Sequence, residues 1–114
     1  MKITVTEIEA QSLAALSRHG AGDMQAAAVA KAVARAEALG NVICGLYYLE
    51  SYCQQLRSGR VNGMAEPKVS RPRPGVVQVD GQMGFAQAAF QRGFDAAVAA
   101  ARENGTAQLA IGHT

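Results

Sequence analysis

Cys44, Tyr47, Tyr48 and Tyr52 place one thiol and three phenols within nine consecutive residues. A cysteine becomes a nucleophile or acid when a cation or a helix N-terminus lowers its pKa. A tyrosine hydroxyl can orient a ligand or give up a proton. Cys44 and Tyr48 lie four residues apart; on a helix that spacing gives them one face and the possibility of a shared pocket wall. The plainer alternative makes Cys44 a small buried hydrophobe and lets Tyr48 pack with its hydroxyl at a polar edge. Tyr47 and Tyr52 are expected to be structural, and Cys53 falls in an apolar stripe that marks it as core. His19 suits the C-terminal end of a helix. No metal site is expected.

The elements that must carry these residues are mostly helical. Thr6-Glu7-Ile8-Glu9 has capping-box spacing, with Ile3 and Val5 before it as a short strand or arm. Ile8, Leu13, Ala15 and Leu16 then form a helical stripe that Gly20 stops. Asp23 is placed to cap a second, alanine-rich helix that ends at Gly40. Leu46, Leu49, Cys53 and Leu56 are spaced by three, four and three, so residues 44–56 read as a third helix, closed by Gly59.

Beyond residue 60 the pattern changes. Lys68-Val69-Ser70-Arg71 and Val76-Val77-Gln78-Val79 are strands about the turn Pro72-Arg73-Pro74-Gly75. A loop at Asp80-Gly81-Gln82-Met83-Gly84 leads to a helix over residues 85–103, with Ala89, Phe90, Phe94, Ala97, Val98 and Ala101 on its apolar side. Asn104-Gly105 stops it, and residues 107–111 return as a strand. The fold class is α+β: a helical segment over 1–60 and the start of an α/β core over 61–114.

Composition narrows the function. Of 114 residues 23 are alanine and none is tryptophan, so helices pack closely around a thin core that invites a partner surface. The net charge of +2 is mild. Arg57, Arg60, Lys68, Arg71 and Arg73 gather between elements, but no aromatic residues interleave them, which favours a solvated connection over nucleic-acid binding. No apolar run reaches the ~20 residues of a membrane span. The first residues lack the apolar core of a signal peptide, and two cysteines nine apart fit reduced thiols, so a cytoplasmic location is expected.

Residues 40–52, Leu56-Arg57-Ser58-Gly59, Val79-Asp80-Gly81 with Gly84, and Ala101-Arg102-Glu103-Asn104-Gly105 occur in an order and spacing that resembles the N-terminal third of the malate/L-lactate dehydrogenase family. That resemblance implies a non-Rossmann fold whose assembled form reduces a 2-keto acid or cyclic imine with NAD(P)H. It also implies a histidine where this chain has Cys44 and an arginine where it has Tyr48, acting around the substrate's carboxylate and keto group. A histidine donates a proton near neutral pH and an arginine grips a carboxylate through two bonds; Cys44 and Tyr48 do neither in the same way. The family's next motif, with a further catalytic histidine, begins around His113 and Thr114, which are expected to border the substrate.

Three expectations follow from the resemblance and the departures. A second polypeptide should supply the rest of the fold and cover the open strand edge at residues 107–111, the assembly forming a homodimer. The assembled protein should take a small-molecule substrate and NAD(P), its cofactor-binding residues being unknown. The alternative is a processed two-chain hydrolase or other non-redox enzyme on the same scaffold. There, autoproteolytic cleavage after Thr114 would expose a new N-terminal nucleophile with its own α-amine as base.

Overall fold

The computed structural model describes residues 2–114 and divides them into two compact units, the first ending at Met64 and the second running Ala65–Thr114. The first is helical: α1 (Val5–Arg18), α2 (Asp23–Ala38), one turn of 3-10 helix (Val42–Cys44) and α3 (Leu46–Arg57). The second is a three-stranded sheet with one helix: β1 (Lys68–Arg73), β2 (Val76–Asp80), α4 (Ala86–Asn104) and β3 (Gln108–Gly112). No described helix is long and apolar enough to cross a membrane.

Helix α1 is capped two residues earlier than the sequence suggests. Thr4, not Thr6, is the N-cap: its hydroxyl accepts from the Glu7 amide at 3.1 Å, and its own amide donates to Glu7 Oε2 at 2.9 Å. The spacing Thr-x-x-Glu occurs twice in a row, and the earlier copy wins because it adds two residues of helix; Val5 is helical, not an arm. The buried stripe is Ile8, Ser12 and Leu16, and it lies along α2. Ser12 takes the place expected for Leu13, which is 38% exposed. A small residue there lets α1 approach the alanine face of α2, where Ala26, Ala30, Val33 and Ala34 are buried.

Gly22, not Asp23, is the N-cap of α2; Asp23 follows as the first helical residue, where its charge suits the positive end of the dipole. The reason lies across the unit, where the Gly22 amide donates to the Gly63 carbonyl at 2.7 Å. At its other end α2 closes in a Schellman motif. The Gly40 amide donates to Glu37 O at 3.1 Å and the Asn41 amide to Ala36 O at 2.9 Å, with Gly40 at φ 79°.

In the second unit β1 and β2 pair antiparallel, with Lys68 opposite Asp80 and Ser70 opposite Gln78. β2 and β3 pair parallel, with Val79 opposite Ile111, and the sheet order is β1-β2-β3. β1 runs on through Pro72, which the sequence assigns to the turn; the register shifts between Ser70 and Arg73. An edge strand tolerates this because the missing proline N–H faces no partner.

Helix α4 covers the sheet face that carries Val77 and Val79, and it does so with its small residues. Ala88, Ala89, Gly93 and Ala100 are buried, whereas Phe90 and Phe94 are 51% and 48% exposed. The expected apolar side of α4 is therefore half wrong. A Cβ at Gly93 would come within 2.9 Å of Leu109 Cδ1 and closer still to Val79, so only small side chains fit against this sheet. The two phenylalanines turn outward and stack on each other with centroids 5.5 Å apart.

Candidate functional site

Cys44 and Tyr48 belong to the first unit and do not share a helix face. Cys44 is the last residue of the 3-10 turn, and Gly45 (φ −97°, ψ −132°) breaks the path before α3 begins at Leu46. The thiol is exposed. Tyr48 lies in the first turn of α3, 41% exposed, its ring 5.4 Å from that of Tyr52. It borders an open polar groove of about 580 Å³ along α3, lined also by Ser51, Gln54, Gln55, Ser58 and Arg60. Cys53 is buried, and burial pushes its thiol up, so it is not a nucleophile.

What fixes this segment is a residue the sequence did not single out. Glu37, in the last turn of α2, accepts a hydrogen bond from the Leu46 amide through Oε1 at 2.8 Å. It thereby caps α3 from nine residues away, where Gly45 has no side chain to do so. The glycine is required by the same contact. A Cβ on Gly45 would stand 2.7 Å from the Glu37 Cγ and Cδ atoms. Around this clamp Leu39, Val42, Ile43 and Tyr47 are all exposed, an apolar surface contiguous in sequence with the thiol.

His113 and Thr114 follow β3 in the second unit. His113 Nδ1 is 2.8 Å from Asp80 Oδ1, so the imidazole is braced at the carboxyl ends of two parallel strands. Loop and tail are stitched together: the Gly81 amide donates to Gly112 O at 2.9 Å and the Met83 amide to His113 O at 2.7 Å. Gly81 has no room for a Cβ, whose place is taken by the Thr114 side chain. Beside this junction an open groove of about 460 Å³ runs over the uncovered face of the sheet, past Lys68, Ser70, Gln78 and Asp80.

The backbone amide of Gln82, which donates to Asp80 Oδ1 at 2.9 Å, and next His113 hold the Asp80 carboxyl below its usual range. A depressed carboxylate stabilises the fold at any pH above its unfolded value of about 3.9, and that contribution is lost as pH falls through the depressed folded value. Asp80→Asn is therefore expected to destabilise the protein at neutral pH and to make little difference at the acid end. Urea midpoints across the acid range check this; an equal loss at every pH would mean that packing, not charge, is at issue.

Comparison with known proteins places the whole chain in one context. The malate/L-lactate dehydrogenase family profile matches residues 3–114. A delta(1)-pyrroline-2-carboxylate reductase of Ancylobacter novellus is 37% identical over 111 residues, which are 97% of this chain and 33% of that protein. A (2R)-3-sulfolactate dehydrogenase (NADP(+)) of Chromohalobacter salexigens is 36% identical over 110 residues, 96% of this chain and 33% of its own length. Among solved structures, delta1-piperideine-2-carboxylate reductase from Pseudomonas syringae pvar. tomato superposes with a TM-score of 0.94 at 29% identity, over 97% of this chain and 33% of that one. The chain thus spans about a third of the length of these relatives.

Proposed function

The chain belongs to the malate/L-lactate dehydrogenase family, and from that premise we propose that it forms the N-terminal part of a reductase acting on cyclic imines that carry a 2-carboxylate. The observation that carries this is its agreement in sequence and backbone with reductases named for the five- and six-membered rings of that class. The remaining polypeptide of the family fold would pair with the free edge of β3 and cover the outward phenylalanines of α4, and the assembly would dimerise.

Such a reduction needs a hydride donor, NAD(P)H in this proposal. The starts of α1 and α3 do not fit its pyrophosphate. The N-terminus of α1 holds the Glu7 carboxylate and that of α3 holds Glu37, and each would repel a pyrophosphate. Both grooves are open rather than enclosing. In this proposal the cofactor is held mainly by the rest of the fold, and this chain contributes substrate-facing groups.

The departures at Cys44 and Tyr48 then bear on substrate choice. Neither brings a fixed positive charge, so neither replaces an arginine fork on the carboxylate that 2-keto acids and cyclic imine acids share. Cys44→Ala is expected to change stability by no more than about 0.5 kcal/mol, because the thiol is exposed. A fall in turnover at unchanged melting temperature would give the thiol a part in chemistry.

The deciding experiment supplies the intact protein with Δ1-pyrroline-2-carboxylate and NADPH or NADH and follows loss of nicotinamide absorbance. Consumption that depends on the imine supports the proposal. No consumption, together with no thermal shift from either nucleotide, would end it.

A further inference from the structure

If the substrate carries a carboxylate, as the proposed function has it, something must meet that charge. We propose that His113, braced by Asp80 at the carboxyl ends of β2 and β3, binds the carboxylate of a small anionic substrate. This rests on the reductase reading for its ligand and on the second unit alone for its geometry.

Three observations converge there. First, the only non-glycine residues with positive φ among those described are Gln82 (53°), Met83 (64°) and His113 (60°). All three lie in the one junction where the loop after β2 is stitched to the segment after β3. Non-glycine residues in this region are uncommon and gather where a site holds them. Second, with Nδ1–H donating to Asp80 Oδ1, the ring is fixed and Nε2 is left as the nitrogen for a ligand. Third, the groove beside the ring is lined by the polar residues Lys68, Ser70 and Gln78. The carboxyl ends of adjacent parallel strands are where open sheets place their ligands.

The charge pattern suits an anion of modest size. Lys68 from β1 and Asp80 from β2 are the charged groups lining the groove beside the ring; β3 contributes Ala110, Ile111 and Gly112, none of them charged. Asp80 offsets Lys68, across from it in register, so protonation of His113 makes the site net positive. Binding should then weaken as pH rises.

The test uses the intact protein and pyrrole-2-carboxylate, a planar ring acid that cannot accept a hydride. Imidazole signals are followed by NMR as the acid is added, with His19, the chain's other histidine, as internal reference. Saturable movement of the His113 signals, affinity falling with pH, and roughly 10- to 100-fold weaker binding in His113→Asn are expected. A wild-type protein whose His113 signals do not respond overturns the inference without recourse to any variant. So does reductase activity with an unchanged KM in a folded His113→Asn protein, which leaves the reductase reading standing. Saturable binding in a protein that reduces no imine would keep the carboxylate site and remove that reading.

Discussion

Gly63→Ala is expected to destabilise the helical unit by about 3 kcal/mol, the upper part of the range for forcing a methyl into a filled site. The added Cβ would overlap the carbonyl oxygen of Gly20 and stand 2.8 Å from Leu56 Cδ2 and 2.9 Å from Ala21 Cα. Leu56 can rotate, but the other two atoms are backbone. That backbone is pinned by the Ala21 amide on Leu16 O at 3.1 Å and by the Gly22 amide on Gly63 O itself, at 2.7 Å. Relief would have to unseat the turn between α1 and α2. Gly59→Ala provides the contrast, since Gly59 has φ 77° but open space around its Cβ position, so only the left-handed conformation is penalised, by about 1–2 kcal/mol. Urea denaturation of both variants checks the order. If Gly63→Ala were no worse than Gly59→Ala, the contact between the two turns would contribute nothing to stability.

Helix ends were the most legible part of the chain. Gly20, Gly40, Gly59 and Gly105 each stand just past a helix, and each has positive φ, 104°, 79°, 77° and 83°. Glycine is the residue that adopts that conformation without strain, so its position carries the information locally. Helix starts were less legible. Thr4 and Thr6 both satisfy the capping pattern, and Asp23 lost its expected role to a glycine held by a residue 41 positions on. The face of α4 could not be read from period alone because apolar residues occur on both sides. The sheet selects the side with alanine and glycine, since close approach to Val77 and Val79 leaves no room for a ring.

The two candidate sites were legible to different degrees. The segment around Cys44 stood out through its residue types, yet its shape did not. Gly45 interrupts what the apolar spacing presents as continuous helix, and the cap that makes the interruption stable comes from Glu37 on a different helix. Asp80 and His113 are 33 residues apart, joined only because β2 and β3 run parallel and end together. No local pattern announces a pair made by strand register. Resemblance singles out His113, whereas the sequence pattern places its partner Asp80 in a loop.

Glu37→Ala should be the substitution with the largest effect on activity for the smallest effect on fold. Loss of a helix cap costs about 1 kcal/mol, which the first unit can absorb. The geometry it controls is harder to replace. The Glu37–Leu46 bond sets where α3 begins, and with it the path from the 3-10 turn through Gly45 to Tyr48, whose amide donates to Gly45 O at 3.0 Å. A drift of about 1 Å in groups that face a substrate lowers rate by roughly 100-fold. Turnover of the assembled protein should therefore fall 10- to 100-fold, with little change in melting temperature. Glu37→Gln keeps an acceptor oxygen and loses only the charge at the helix N-terminus, about 0.3–1 kcal/mol, so it should restore most of the activity. Wild-type turnover in Glu37→Ala would show that residues 41–48 are not held for catalysis. A double-mutant cycle separates the clamp from general damage. Gly45→Ala collides with the Glu37 side chain and should be harmful in the wild type, but milder once Glu37 is alanine, because the colliding atoms are gone. Additive losses would instead mean that the two residues act independently, and the clamp would then have no part in shaping the site.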